Sequence, residues 1–271
     1  MRSIQFKFAC SFLVIVCFQI VSTTSRANGG LLITSFESEL VSDFEHFRGE
    51  GLQAEPTEGQ LDSDYWRITG LSDGSGVFGG SYNTGDWARG LALQPVVTGG
   101  IYGFSVGEVD WALGFQPTSG DMTPGTVTLH LKNGTPTIVN RVTIGFDLLF
   151  RNDASRSTRV SLSYGLDDHH YQSSKSGAWD SMGLSDTAFD WKRFQHTETL
   201  THFELHPLDS FYFRWSLSDA LGHGSRDEVA LDNVKIQFER SSEVVPEAAS
   251  LCWLATVLIL FNARNWKRTA S

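Results

Sequence analysis

The densest group of side chains able to carry chemistry occupies residues 223–228, in the sequence HGSRDE. A hydrolase needs a nucleophile, a base and a carboxylate that orients the base, and Ser225 stands among candidates for each role from His223 to Glu228. No Gly-x-Ser-x-Gly sequence surrounds Ser225, and polar runs of this kind are also normal in solvated loops. The sequence leaves both a secreted hydrolase and a polar loop as hypotheses.

Histidines elsewhere lack the spacing of a metal site. Residues 167–170 read Asp-Asp-His-His at a predicted hairpin tip, where adjacent side chains point to opposite faces. His196, His202 and His206 lie on strand-like sequence without a zinc pattern. We therefore predict no metal site from these histidines.

The strand predicted over residues 229–238 changes phase. Its apolar residues are odd-numbered up to Leu231 and even-numbered from Val234. One strand can bury both sets on one face only if it slips by a residue, so we predict a β-bulge at Asp232 and Asn233. Bulges often lie near functional sites. Alternatively, Asp232 only caps the irregularity through a local hydrogen bond to the backbone.

Two short segments resemble the galactose-binding-like and related carbohydrate-binding sandwiches. They are Phe36-Glu37, at the end of the first predicted strand, and Asp232-Asn233-Val234 in the last one. The resemblance implies that the first and last strands are neighbours and that carboxylates hold a structural Ca²⁺ with backbone carbonyls. Glu37 and Asp232 would then be ligands, and oxygen ligation suits this hard cation.

Tryptophans supply candidate sugar-binding surfaces. Trp87 and Trp179 lie in loop-like sequence, whereas Trp111 and Trp215 fall in strand patterns and are predicted core residues. An amphipathic ring in a loop can serve as a platform for polysaccharide, or it can close the end of a sandwich. A binder predicts an open groove with either loop tryptophan exposed, and an enzyme predicts a deep pocket with perturbed ionisable groups. A purely structural matrix protein predicts neither.

Alternation of apolar and polar residues with period two dominates the chain, with Gly, Asn, Asp, Ser and Pro between the segments. Predicted inward sets include Val127, Leu129 and Leu131; Val142, Ile144, Phe146, Leu148 and Phe150; Val160, Leu162 and Tyr164; and Phe211, Phe213, Trp215 and Leu217. Further strands are predicted at residues 31–36, 65–69, 101–106, 111–115 and 199–205. We predict an all-β fold, an antiparallel jelly-roll-like β-sandwich.

Two other segments have distinct patterns. The glycine-rich residues 71–81 predict tight turns between strands. Residues 38–47 are the one region of this part of the chain where a turn or two of helix is expected.

Composition limits the chemistry of the central residues 28–247. All three cysteines lie outside them, which excludes disulfides and thiolate metal sites there. These 220 residues hold 15 basic and 31 acidic side chains, a formal charge of −16. Such a surface repels phosphate backbones, so we predict no nucleic-acid partner.

The N-terminal segment has the three parts of a secretory signal peptide. Arg2 and Lys7 precede an apolar run over residues 9–21, and small residues Ser25 and Ala27 precede a possible cut. We therefore predict a signal peptide at residues 1–27, with flanking helical character, and the secretion machinery as a partner.

The C-terminal segment pairs an apolar run with a basic end. Val245, Pro246 and Glu247 precede uncharged residues 248–261, and Arg264, Lys267 and Arg268 follow. The run is short for a membrane span of about 20 residues. This order resembles the PEP-CTERM sorting signal, although Ala248 stands where that signal has a second proline. The resemblance implies an exosortase-like membrane protease as a partner, inner-membrane transit through a C-terminal hydrophobic helix, and delivery to the cell surface or extracellular matrix.

The sequence thus predicts four parts: a signal peptide (1–27), a β-sandwich domain (28–240), a linker with the sorting motif (241–247), and a sorting or anchor segment (248–271). The predicted role is an exported protein without catalytic activity that binds polysaccharide. The hydrolase and the structural matrix protein remain alternatives.

Overall fold

The computed structural model describes residues 29–184 and 189–240. Their strands are β1 (Leu31–Ile33), β2 (Glu39–Ser42), β3 (Phe47–Gln53), β4 (Gly59–Asp62), β5 (Trp66–Thr69), β6 (Leu91–Ala92), β7 (Gly100–Ser105), β8 (Trp111–Gln116), β9 (Gly125–Asn133), β10 (Val139–Arg151), β11 (Arg156–Gly165), β12 (Gln172–Asp180), β13 (Lys192–Leu205), β14 (Ser210–Gly222) and β15 (Glu228–Glu239). A 3-10 helix spans Gly85–Trp87. Within the described ranges, no helix is long and apolar enough to cross a bilayer.

The strands form two large sheets. The six-stranded sheet has the order β1-β9-β14-β11-β12, with β5 also paired to β9. The seven-stranded sheet has the order β13-β10-β15-β8-β7-β6, with β2 also paired to β15. Most neighbours are antiparallel, whereas β1–β9, β3–β4 and β6–β7 are parallel. The prediction of an all-β, two-sheet sandwich is confirmed. The flanking helical segments and the domain boundaries beyond residues 29–240 lie outside the described residues.

One apolar core fills the space between the sheets because alternate residues of each strand point inward. Leu129 and Phe213 from the six-stranded sheet and Ile144 and Phe238 from the seven-stranded sheet have 0% exposure. Burial of each such side chain contributes about 1.5–3 kcal/mol. The predicted inward sets of β9, β10 and β14 are confirmed as buried, and Tyr164 of the β11 set is half-buried.

A smaller cluster lies on the outer face of the seven-stranded sheet. Tyr102, Phe104 and Leu149 are buried there, with Trp191 packed against them. The packing of Trp191 against this cluster shields part of the outer face of the sheet from water.

Two sequence predictions are wrong. Residues 38–47 contain the strand β2, which pairs with β15, instead of a helical turn. Tertiary pairing outweighs the weak local preference of these residues. The first and last strands are not neighbours either, since β1 lies beside β9 in the six-stranded sheet and β15 lies in the other sheet.

The glycine-rich segment forms turns after β5, as predicted. The amide of Gly74 donates to the carbonyl of Leu71 at 3.0 Å, and the amide of Gly80 donates to the carbonyl of Val77 at 3.2 Å.

Candidate functional site

The edge strands of the two sheets, β12 and β13, contact each other through polar side chains. The Glu198 carboxylate on β13 accepts hydrogen bonds from the hydroxyls of Ser174 and Ser176, the latter at 2.5 Å, and from the amide of Lys175 at 3.2 Å. Ser176 Oγ also lies 2.9 Å from Nε2 of His196. These contacts close part of one side of the sandwich.

A large bulge interrupts β13 next to these contacts. Val139 is paired with Leu205 and Arg141 with Thr201, so two residues of β10 span four residues of β13. His202 has φ 73° at this point, in the left-handed region. The bulge changes the phase of the strand, which explains why Leu200 and Leu205 are both buried despite their odd spacing.

A cleft of about 460 Å³ opens beside the bulge, between β13 and the hairpin of β11 and β12. We call it the β13 cleft; it is lined by residues 164–167, His170, Gln172, Lys175, residues 198–203 and Phe211. Its accessible apolar part includes Leu166 and the rings of Tyr164 and Phe203, and the buried ring of Phe211 packs against both rings. The rings of Tyr164 and Phe211 are parallel with centroids 6.1 Å apart, and the ring of Phe203 is 5.2 Å from that of Phe211. The volume falls within the range of small-molecule sites, about 300–1,000 Å³.

Two ionised carboxylates stand on the rim of the β13 cleft. The backbone amides of His169 and His170 donate to Asp167 and lower the pKa of its carboxyl to about 2. Burial acts to raise the pKa of Glu198, but the hydrogen bonds from Ser174, Ser176 and Lys175 outweigh it and lower the pKa. Both groups are therefore hydrogen-bond acceptors at neutral pH, and Lys175 adds a donor.

A second depression of about 480 Å³ lies against the same bulge and includes Asn140, Arg141 and Glu204. Thr201, His202 and Phe203 line both this depression and the β13 cleft. The two therefore meet at the bulge.

The tryptophans predicted as platforms pack into the fold. Trp87 is 3% exposed and stacks on Tyr82 with centroids 4.3 Å apart. Trp179 on β12 is half-buried and meets the ring edges of Phe146 and His196. Trp87 therefore closes the sandwich, which was the alternative left open by the sequence, and binding by the half-buried Trp179 stays a prediction. Trp215 is buried as predicted, and Trp111 is half-buried.

The predicted bulge at Asp232 and Asn233 is confirmed. Three residues of β15 span two of β10 between the pairs Gly145–Lys235 and Asp147–Asp232, and Asn233 has φ 51°. Asp232 Oδ1 accepts the amide of Asn233 at 2.7 Å, so it caps the irregularity locally. The side-chain amide of Asn233 donates to Asp147 at 3.1 Å, and both residues border a depression of about 340 Å³.

The structure does not bring Glu37 and Asp232 together. Glu37 is exposed and precedes β2, where Glu39 pairs with Ile236, whereas Asp232 is buried beyond the other end of that pairing. Within the described ranges, no group of three His, Asp, Glu or Cys side chains is placed to hold a metal ion. Calcium binding stays a prediction, and a fall in melting temperature on adding chelator would support it.

The polar cluster at residues 223–228 diverges into separate contacts. His223 and Ser225 are exposed, whereas Arg226, Asp227 and Glu228 are buried. Arg226 donates to the carbonyl of Met122 at 3.1 Å, Asp227 accepts from the hydroxyl of Ser181 at 2.5 Å, and Glu228 pairs with Arg151 at 2.8 Å. The three buried charged side chains thus bond other parts of the fold. These contacts do not place any of the three as a catalytic partner of Ser225.

Two acids have the raised pKa values that an enzyme site would show. Burial is the main cause for both, and it raises the pKa of Glu228 and of Asp232 to about 7. Each side chain has 0% exposure and hydrogen-bond partners in the protein. Substrate therefore cannot reach either group in this conformation.

The β13 cleft was not predicted from the sequence, although the sequence contains a signal for it. Residues 199–205 were predicted as one strand, yet their apolar positions change from even at Leu200 to odd at Phe203 and Leu205. The same change of phase identified the bulge of β15.

Comparisons with known proteins give similarity of fold. Neither a protein family nor a curated protein matches the sequence. The described domain is a two-sheet β-sandwich similar to carbohydrate-binding modules. The module CBM28, specific for non-crystalline cellulose, shares 11% identity with a TM-score of 0.39, and the match covers 77% of this chain and 98% of that one.

Two further structures show similarly distant matches. The xylan-binding CBM22-1 domain from Paenibacillus barcinonensis Xyn10C has 12% identity and a TM-score of 0.39 over 80% of this chain and all of that one. The K3 cleaved adhesin domain of Lys-gingipain from Porphyromonas gingivalis has 13% identity and a TM-score of 0.34, over 74% of this chain and 99% of that one. Similarity this distant assigns neither a ligand nor site residues to the present chain.

Proposed function

We propose that this chain is an exported, non-catalytic protein that binds polysaccharide in the β13 cleft. The observation that carries the proposal is the combination of two partly exposed aromatic rings, Tyr164 and Phe203, with a rim of ionised carboxylates and a lysine. A sugar ring has an apolar C–H face and hydroxyls around its edge. The rings can pack against the face while the rim bonds the hydroxyls.

The shape of the site favours a polymer over a small molecule. The β13 cleft and the second depression meet at Thr201, His202 and Phe203 on an edge strand. A linear chain can cross the bulge and occupy both.

Export is proposed from the two ends of the sequence. The signal-peptide pattern at residues 1–27 would direct secretion, and the PEP-CTERM-like segment from Val245 to Arg268 would bring the chain to an exosortase-like protease. The domain would then act at the cell surface or in the matrix, where polysaccharide is found.

Affinity electrophoresis of the full-length chain tests the binding site. The gels would contain barley β-glucan, hydroxyethylcellulose, xylan, galactomannan, alginate or polygalacturonate. We expect at least one polymer to retard the wild type, and Phe203→Ala to weaken that interaction about tenfold or more because a ring contact is lost. Phe189→Ala removes an aromatic ring that is 65% exposed outside the cleft and is the matched control.

Two outcomes would contradict the proposal. Migration of the wild type unaffected by every polymer would favour a purely structural matrix protein. Release of reducing ends from the retarding polymer would favour the hydrolase instead.

A further inference from the structure

One wall of the β13 cleft is the tip of the β11–β12 hairpin, residues 166–171. Its side chains face two directions. Asp167 and His170 line the cleft. Asp168 and Tyr171 instead contact Arg67 and Arg214, which lie on the outer face of the six-stranded sheet because their strand neighbours are in the core.

Asp168 is the centre of this outer-face network. Its two carboxylate oxygens accept both terminal N–H groups of Arg67, one of them at 2.7 Å. It also accepts the hydroxyl of Tyr171 at 2.8 Å and an N–H of Arg214 at 3.3 Å. The guanidinium of Arg214 lies 3.5 Å from the centroid of the Tyr171 ring. The hairpin tip is thereby fixed to β5 and to β14.

The pairing is stronger than an ordinary surface ion pair. The side chains of Arg67 and Asp168 are only 14% and 24% exposed, so water screens their attraction weakly. Burial acts to raise the pKa of Asp168, but hydrogen bonds from Arg67 and Tyr171 outweigh it and lower the pKa. Bidentate geometry also fixes the orientation of the two planar groups.

The tip is folded tightly on its cleft side as well. A Cβ atom at Gly165 would stand 2.4 Å from the carbonyl oxygen of His170, so only glycine allows this approach. The carboxylate of Asp167 bonds the amides of His169 and His170 at 2.8 and 2.7 Å. The conformation of the wall therefore depends on contacts from both sides.

We propose that Arg67, Asp168, Arg214 and Tyr171 are positioning residues for the β13 cleft. They hold the hairpin tip in place before ligand arrives, although none of them lines the cleft. Binding then avoids the entropic cost of ordering the tip. This inference rests on the proposed polysaccharide function.

The variant Asp168→Asn tests the inference in the full-length chain. It keeps the shape of the side chain but removes the charge that joins the two arginines. We expect hydrogen exchange of the amides of residues 166–171 to accelerate, and affinity for the polymer that retards the wild type to fall about tenfold. Arg67→Lys keeps the charge without the bidentate fork, and an intermediate loss is expected.

Asp219→Asn is the matched control. It removes the bidentate pair of Arg156 and Asp219, with both bonds at 2.9 Å, at the other end of the same sheet. Affinity and exchange at residues 166–171 should stay at wild-type values.

The outcomes separate this inference from the proposed function. If no polymer retards the wild type, both fail. If the wild type binds and Asp168→Asn binds equally well, the positioning role alone is wrong. An equal loss of affinity in Asp168→Asn and Asp219→Asn would show general destabilisation and would also overturn the role.

Discussion

The buried carboxyl of Asp232 predicts a specific dependence of stability on pH. Burial raises its pKa from an ordinary value of 3.8 to about 7. The folded protein therefore keeps the proton over a range in which the unfolded chain has lost it. Unfolding releases a proton between about pH 4 and pH 7, so the free energy of unfolding falls as the pH rises through this range.

The substitution Asp232→Asn removes this titration and leaves the side chain nearly isosteric. The difference between 3.8 and about 7 corresponds to about 4 kcal/mol, at about 1.4 kcal/mol per pKa unit. The amide can still accept the backbone N–H of Asn233 but loses the bond from its side-chain amide, 3.0 Å in the wild type, at a cost of about 1 kcal/mol. We expect the variant to be slightly less stable than the wild type at pH 4 and about 2–3 kcal/mol more stable at pH 8.

Denaturant unfolding at closely spaced pH values and constant ionic strength measures this effect. The difference between the two proteins isolates Asp232 from the other groups that titrate. The curves should cross between pH 4 and pH 7, as worked out above. Two parallel curves would refute the reasoning, since they would show that ionisation of Asp232 carries no penalty in the folded state.

Two further substitutions address packing and backbone strain. Glu228→Ala should lower the free energy of unfolding by about 3–5 kcal/mol, because it removes the acceptor of both the Arg151 guanidinium and the Val96 amide and leaves the buried guanidinium without its partner; a loss below about 1 kcal/mol, the value for a surface pair, would contradict this. His202→Gly should raise the free energy of unfolding by about 0.5–1 kcal/mol, because glycine adopts a φ of 73° without strain. His202→Val should lower it, and equal effects of the two changes would argue against the left-handed conformation.

The strands were predictable because their signal is local. Alternation along residues 141–150 gives the inward residues of β10 directly, and the same holds for β14. The order of strands was not predictable in this way. The position of β2 beside β15 depends on backbone pairing between distant segments, and the sequence of residues 39–42 contains no sign of its partner.

The site was harder to predict than the fold because its parts come together only in three dimensions. Tyr164, Phe203 and Phe211 lie on three strands of two sheets, and each has the alternation of an ordinary core residue. Trp87 and Trp179 looked exposed because their neighbours are polar, yet each is covered by a ring from another segment: Tyr82 over Trp87 and His196 against Trp179. The residues next to a tryptophan in the sequence do not show whether a ring from a distant segment will pack against it.

The two bulges show what sequence leaves undecided about function. Both follow from a change of phase in the apolar residues, at Asp232 in β15 and at His202 in β13. The bulge of β15 lies beside β10, and the side-chain amide of Asn233 donates there to both Asp232 and Asp147. That of β13 lies on a sheet edge with His202 exposed, so its irregularity borders solvent and leaves a cleft. A depression therefore borders each bulge, but the one beside β15 is bordered by Asp147, Arg193 and Asn233, which bond one another in part, whereas the β13 cleft has two partly exposed aromatic rings. For this reason we assign binding to the bulge of β13.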